Sequence, residues 1–247
     1  MAQKRLRIFA GPNGSGKSSM LRQVKDAVPL GNYINADVIE NLIAGKKSIS
    51  FSSYGITGDS KKLYRFFDRS GFVKSKSNSE ILKRTFEIAE NEIKVRGNGI
   101  IAPEYAAAII AEFLREENLH SGNDFSIETV MSHTDKIDFI KKANDKGYHV
   151  YMYFICTDDV RVNVERVKTR VKEGGHSVPE DKIKTRYKRT LNLLNSALKI
   201  CYKSYLFDNS DKMISIARIN RDNSVQFQVA SDKLPGWFIV YVLNKNV

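Results

Sequence analysis

The sequence predicts an α/β protein in which a parallel sheet is covered by helices on both faces. Three observations carry this. Short runs rich in β-branched and aromatic residues alternate with longer helical stretches. A glycine-rich octapeptide lies between the first strand and the first helix. The 247 residues, 42% hydrophobic and 28% charged, can bury a full core, yet no uncharged apolar run is long enough to span a bilayer.

Taken in order, Arg5–Ala10 is an apolar strand that ends at a glycine, and Lys17–Val28 follows as a helix. Tyr33–Asn35 reads as a second short strand, with Val38–Ala44 helical after it. Residues 45–98 form a polar insertion, with a helix predicted over Ser79–Val95 and a break at Gly97-Asn98-Gly99. A helix over Pro103–Glu117 leads into a third strand, Asp124–Glu128, and His149–Thr157 (HVYMYFICT) is the fourth. Asp158–Lys172 and Pro179–Ile200 are helical, separated by Gly174-Gly175, and Pro179 suits a first helical turn. Tyr205–Phe207 is the fifth strand. Met213–Val247 reads as a hairpin, with strands near Ile214–Ile219 and Val225–Val229 around Arg221-Asp222-Asn223. The expected organisation is one domain over 1–247, with the 45–98 insertion, a mobile lid over 158–190 and the hairpin over 213–247.

Composition excludes some classes. Two cysteines, 45 positions apart, supply neither a disulfide framework nor a four-ligand zinc site. The amino terminus has a short apolar core with no small-residue cleavage pattern, so a cytoplasmic, reduced protein without a membrane is expected. Forty Lys and Arg against 28 Asp and Glu give a net charge of +12. That favours anionic partners such as nucleotides, sugar phosphates, nucleic acid or an acidic protein, although a lysine-rich surface also serves solubility alone.

The octapeptide Gly11-Pro-Asn-Gly-Ser-Gly-Lys17-Ser18 has the spacing of a phosphate-binding P-loop. Its glycines let backbone amides converge on phosphate oxygens, and the following helix adds its positive end. Gly11, Asn13, Gly14, Ser15, Gly16, Lys17, Ser18 and Ser19 are therefore the candidate ATP site. Lys17 is placed for the β- and γ-phosphates, and the Ser18 hydroxyl for Mg²⁺. The sequence has no strand ending in Asp-Glu, no transporter signature loop and no guanine-reading Asn-Lys-x-Asp, which leaves a small phosphotransferase.

Other candidates follow at strand ends. Asp37 can orient an acceptor hydroxyl and take its proton, or it can simply cap a helix. Glu128 can hold the acceptor, reach Mg²⁺ through water, or make a structural hydrogen bond. Between the fourth and fifth strands lie Arg161, Arg166, Arg170, Arg186 and Arg189, with Gly174-Gly175 among them. Arg166 and Arg170, four apart, share one helix face. They suit a lid over the γ-phosphate, or a solvated helix face shared with Glu165 and Glu173.

Five stretches together resemble the zeta-toxin family of P-loop kinases. They are GPNGSGKSS (11–19), INAD (34–37), FSIETVMSH (125–133), the run from GYHVYMYF to ERVKTRVKEGGHSVPEDKIKTRY (147–187), and LFDNS (206–210). The resemblance implies a three-layer P-loop NTPase fold with a central parallel five-stranded sheet in the order 2-3-1-4-5. It implies ATP-dependent phosphorylation of a hydroxyl on a small activated sugar such as a UDP-sugar, with an antitoxin partner in some members. By motif position, Asp37 becomes the base, Glu128 and Thr129 contact the acceptor, and Arg166 and Arg170 meet the phosphates. Asp208-Asn209-Ser210 lies near the nucleotide, or else supports the backbone of the fifth strand. His176, on the substrate side of the lid, stands where the sugar-kinase toxins carry an arginine. The insertion and the hairpin lie outside the shared core.

Two further functions compete with a metabolite kinase. Residues 60–76 (SKKLYRFFDRSGFVKSK) interleave basic and aromatic residues, as a kinase of nucleic-acid ends would use, or form a helix that buries Leu63, Phe66 and Phe67. A nucleotide-dependent binding module without transfer activity is the other.

Overall fold

A computed structural model describes residues 3–46, 48–71, 73, 76–96, 103–175 and 177–244. The protein is mixed α/β with a large, predominantly parallel sheet. Its internal contacts divide it into two compact units, Met1–Leu30 with Glu128–Val247, and Gly31–Ile127.

The first unit begins with β1 (Arg5–Ala10), buried from its second residue onward, and α1 (Lys17–Val24). Helix α1 stops four residues short of the expected end at Val28, just ahead of Pro29.

The second unit follows. It holds β2 (Asn32–Ile34), α2 (Ala36–Lys46), β3 (Ser48–Ser50), α3 (Ser60–Arg69) and α4 (Lys76–Thr85). After these come β4 (Phe86–Ala89), β5 (Glu92–Val95), α5 (Pro103–Ser121) and β6 (Phe125–Thr129). Asp59 caps α3 by accepting from the Lys61 and Lys62 amides at 2.8 and 3.2 Å. The i, i+3, i+4 spacing of Leu63, Phe66 and Phe67 then buries all three side chains. Phe66 meets Phe113 of α5, and Phe67 meets Phe86 of β4. The basic and aromatic alternation at 60–69 is thus a core-facing helix, and Phe66 and Phe67 are not available to stack on bases.

The helix expected over Ser79–Val95 is corrected: it ends at Thr85, and a β-hairpin replaces its second half. Glu90 and Asn91 both have positive φ, 53° and 63°, the conformation of a two-residue hairpin turn and incompatible with a helix. Phe86 and Ile93 then bury on one side, and β5 pairs on its other edge with β3. In the same unit, β2 runs parallel to β6 with Ile34 opposite Ile127.

The chain re-enters the first unit at Glu128. There α6 (Asp135–Asp145), β7 (His149–Cys156), α7 (Val160–Lys172), α8 (Glu180–Leu198) and β8 (Lys203–Asp208) complete the alternation. Strands β1, β7 and β8 are parallel, with Arg5 opposite His149 and Cys156 opposite Asp208. Thr129, at the end of β6, accepts a 3.3 Å hydrogen bond from the Gly11 amide just beyond β1. Two antiparallel strands, β9 (Ile214–Asn220) and β10 (Val225–Phe227), extend the sheet beyond β8. Pro179 occupies the cap position of α8 rather than its first turn.

The C-terminal hairpin is shorter than expected. Beyond β10 the chain turns into helical segments, Ser231–Lys233, α9 (Gly236–Phe238) and Ile239–Leu243. The reason is a buried anchor. Trp237, 3% exposed, donates its indole N–H to Asp208 at 2.9 Å and its backbone N–H to Asp158 at 2.8 Å.

Candidate phosphate-binding site

The glycine-rich loop joins β1 to α1, and three of its glycines take a backbone that other residues rarely adopt. Gly14 (φ 74°) and Gly16 (φ 102°) also lie hard against neighbours. A Cβ on Gly14 would lie 2.5 Å from the Asn163 carbonyl oxygen, and one on Gly16 would lie 2.3 Å from the Asn209 side-chain nitrogen. The loop is therefore clamped as well as flexible in type. Asn163 of α7 donates to the Asn13 carbonyl at 2.7 Å, while its own oxygen is held by the Thr157 hydroxyl. Asn209 donates to the Ser15 carbonyl at 2.8 Å, and its backbone N–H donates to Cys156 at the end of β7 at 2.8 Å.

Gly14→Ala should therefore cost both strain and overlap, about 1–2 kcal/mol for the left-handed backbone alone. Calorimetric titration with a non-hydrolysable ATP analogue should show affinity lowered by about tenfold or more. Wild-type affinity in that variant would remove the phosphate-cradle assignment.

Lys17, 8% exposed, folds over the loop and donates to the Gly11 and Pro12 carbonyls, both at 2.9 Å. Helix α1 has no acidic residue in its first turn, so nothing in that turn competes with an anion for the helix end. Two buried polar atoms of the loop, Asn13 Oδ1 and Ser15 Oγ, have no hydrogen-bond partner in the protein. Of these two, the Ser15 hydroxyl can donate to a phosphate oxygen, whereas the Asn13 amide oxygen is an acceptor and cannot. Ser19 accepts from Arg22 at 3.1 Å, in keeping with a supporting place on α1.

The Ser18 hydroxyl donates to Glu128, with 3.1 and 3.3 Å to its two carboxylate oxygens. This joins the loop's metal-side hydroxyl to the acidic residue near the end of β6. Among the described residues no cluster of three or more His, Cys, Asp or Glu could hold a metal ion. Mg²⁺ usually needs only one or two protein oxygens when phosphates supply the rest, so Ser18 and Glu128 fit it. Thr129 uses its hydroxyl to accept from the Met131 amide at 3.1 Å, which shapes the turn after β6.

The arginines divide. Arg161 is exposed and pairs with Asp159, the residue that caps α7, and Lys168 pairs with Glu165 and Glu180. That is the solvated face. Arg166 lies half-buried and donates to the Asn209 carbonyl at 2.7 Å, so guanidinium, asparagine and the Ser15 carbonyl form one chain to the loop. Arg170 is also half-buried, and its carbonyl accepts from the Gly175 amide at 2.9 Å beyond Gly174 (φ 86°). His176 lies outside the described residues.

Asp37 belongs to the second unit, where it lies exposed in the first turn of α2 just past the end of β2. It is not the cap. Asn35 fills that place, accepting from the Asp37 amide on its side chain at 2.8 Å and from the Ile39 amide on its carbonyl at 3.1 Å. In the first unit the structure brings Asn13, Ser15, Lys17, Ser18, Glu128 and Arg166 into one hydrogen-bonded neighbourhood. Asn163 was not anticipated. The available signal was an asparagine on the apolar stripe of Val160, Val164 and Val167, where only a satisfied polar group is stable.

No known protein-family profile matches the chain. A stretch of 63 residues, 26% of this chain, is 38% identical to an uncharacterized protein of Haemophilus influenzae and spans 45% of that protein. Solved structures share the fold at low identity. A chain of the AvrRxo1-ORF1:AvrRxo1-ORF2 complex with sulphate ions matches with TM-score 0.57 and 14% identity, over 92% of this chain and 61% of that one. The same complex with ATP matches with TM-score 0.52 and 15% identity, over the same 92% and 61%. A chain from the PezAT chromosomal toxin-antitoxin system of Streptococcus pneumoniae matches with TM-score 0.50 and 13% identity, over 97% of this chain and 76% of that one. This chain therefore spans about three-fifths of the AvrRxo1 chains. The shared fold is mixed α/β with a large, predominantly parallel sheet, consistent with a P-loop kinase fold.

Proposed function

We propose that the protein is an ATP-dependent kinase that transfers the γ-phosphate to a hydroxyl of a small metabolite, with a UDP-activated sugar as the leading acceptor class. The observation that carries this reading is the Ser18–Glu128 pair beside a clamped P-loop whose lysine is already folded over it. In this reading Gly11, Asn13, Gly14, Ser15, Gly16, Lys17, Ser18 and Ser19 hold the triphosphate. Ser18, together with the phosphates, would hold Mg²⁺, and the ion would supply charge neutralisation to the transferring group. Glu128 orients Ser18 and faces the metal side, and Thr129 shapes the acceptor side. Asp37, exposed and uncommitted to capping, accepts the proton of the acceptor hydroxyl. His176 contacts the substrate in this reading.

The parallel pairings β2–β6 and β1–β7–β8 support a five-stranded core read in the order 2-3-1-4-5. An antitoxin partner belongs to the same proposal, since one matching chain comes from a system named toxin-antitoxin. A cytoplasmic location is proposed with it.

The lid supplies a specific test. At least one of Arg166→Lys and Arg170→Lys should lower turnover about 10²-fold while changing ATP-analogue affinity little, because a fork aimed at developing charge acts in the transition state. Normal turnover in both variants would return these arginines to a merely structural role. A screen of hydroxyl-bearing metabolites and of oligonucleotides with γ-labelled ATP would identify the acceptor class.

A further inference from the structure

One face of the sheet in the first unit carries rings and cations. The strand registers align Arg7, Tyr151, Lys203 and Asn220 in one row, and Phe9, Tyr153, Tyr205 and Arg218 in the next. No carboxylate occurs at these positions. Leu21 and Val24 of α1, with Leu30, cover the Phe9 and Tyr153 end. Beyond that cover Tyr151, Lys203 and Tyr205 are partly exposed, and Arg218 is exposed.

The rings form a stack. Phe9 and Tyr153 lie 4.9 Å apart, and Tyr153 and Tyr205 lie 5.0 Å apart, both pairs within 15° of parallel. Lys203 and Arg218 sit 5.9 and 6.0 Å from the Tyr205 centroid, and Arg7 5.7 Å from that of Tyr151. Arg7 is 5% exposed, and its buried Nη1 has no hydrogen-bond partner. At the amino ends of β7 and β8 the face runs into a cavity of about 390 Å³ lined in part by His149, Lys199, Tyr202 and Arg221. There His149 stacks on Tyr202 at 3.7 Å. Burial, with Arg221 and Arg5 nearby, holds this imidazole below its ordinary range. Among the described residues none of Lys199, Lys203, Arg218 and Arg221 is in an ion pair.

We infer that this face binds single-stranded nucleic acid, with phosphates on Lys199, Lys203, Arg218 and Arg221 and bases against Tyr202 and Tyr205. Every base has a π-face for an aromatic ring, and unpaired cations along the rings track the backbone. From His149 to Tyr153 the path runs about 13 Å along β7, at about 3.3 Å per residue, which suits an extended strand. An acidic protein segment would also satisfy the cations, but it would leave the stacked tyrosine rings without planar partners. The surface is separate from the phosphate loop and does not rest on the kinase reading.

The test is fluorescence anisotropy of a labelled twelve-nucleotide oligouridine with the full chain, from 50 to 300 mM salt. Four phosphate contacts predict a log–log salt slope of about −3. Lys203→Ala with Arg218→Ala should weaken binding at least tenfold and flatten the slope by about 1.4, half of its value, with ATP-analogue affinity unchanged. Both side chains are accessible, so this pair should fold normally. Tyr205→Leu should weaken binding about tenfold without altering the slope. Absence of binding at 50 mM salt would overturn the inference. So would binding untouched by the double variant, or equal binding of an oligoglutamate peptide, which would mark an acidic protein site instead.

Discussion

Asp37→Asn is expected to leave ATP-analogue binding unchanged and to lower phosphoryl transfer by about 10²–10⁴-fold, the usual contribution of a positioned general base. The substitution keeps size and shape and removes only the basic oxygen. Stability should barely move, since Asn35 rather than Asp37 caps α2 and a first-turn carboxylate contributes only about 0.3–1 kcal/mol through the helix dipole. Thermal melts and turnover on one preparation decide the matter. Unaltered transfer would leave Asp37 as a surface residue of the helix and would require another base.

Lys17→Ala is expected to cost about 10³-fold in transfer, near the upper range for loss of one donor aimed at developing charge. The ammonium is held over the loop by the Gly11 and Pro12 carbonyls, so its position is set before nucleotide arrives. Removing it takes away a point charge and two hydrogen bonds at the loop, and no apolar core group. Cooperative unfolding should therefore persist, with a melting temperature lowered by a few degrees. Retained turnover would show that the loop does not bind the reacting phosphates.

Much of this arrangement was legible in the chain because its signals are local. Arg5–Ala10 followed by GPNGSGKS declares strand, loop and helix within fourteen residues, and Leu63, Phe66 and Phe67 declare a buried helix face. The hairpin at Phe86–Val95 was misread because its charged and apolar residues also fit a helical period. The deciding feature was the Glu90-Asn91 turn, whose positive φ at both residues is only a weak preference in sequence. The clamp on the loop was harder still. Asn163 to Asn13 spans 150 residues and Asn209 to Ser15 spans 194, and single side-chain to backbone bonds over such separations leave no periodicity. Trp237, which turns the C-terminal segment from hairpin into helix, acts through Asp158 and Asp208 in the same long-range way.

Transfer of the γ-phosphate to an organic hydroxyl is read by following the label through a single turnover. With γ-labelled ATP, Mg²⁺ and a pool of hydroxyl-bearing metabolites, label should appear in an organic phosphate ester with the wild-type chain. It should be nearly lost from that product with Asp37→Asn, while bound ATP is retained. Label released only as orthophosphate, at the same rate in both proteins, would exclude transfer to an organic hydroxyl.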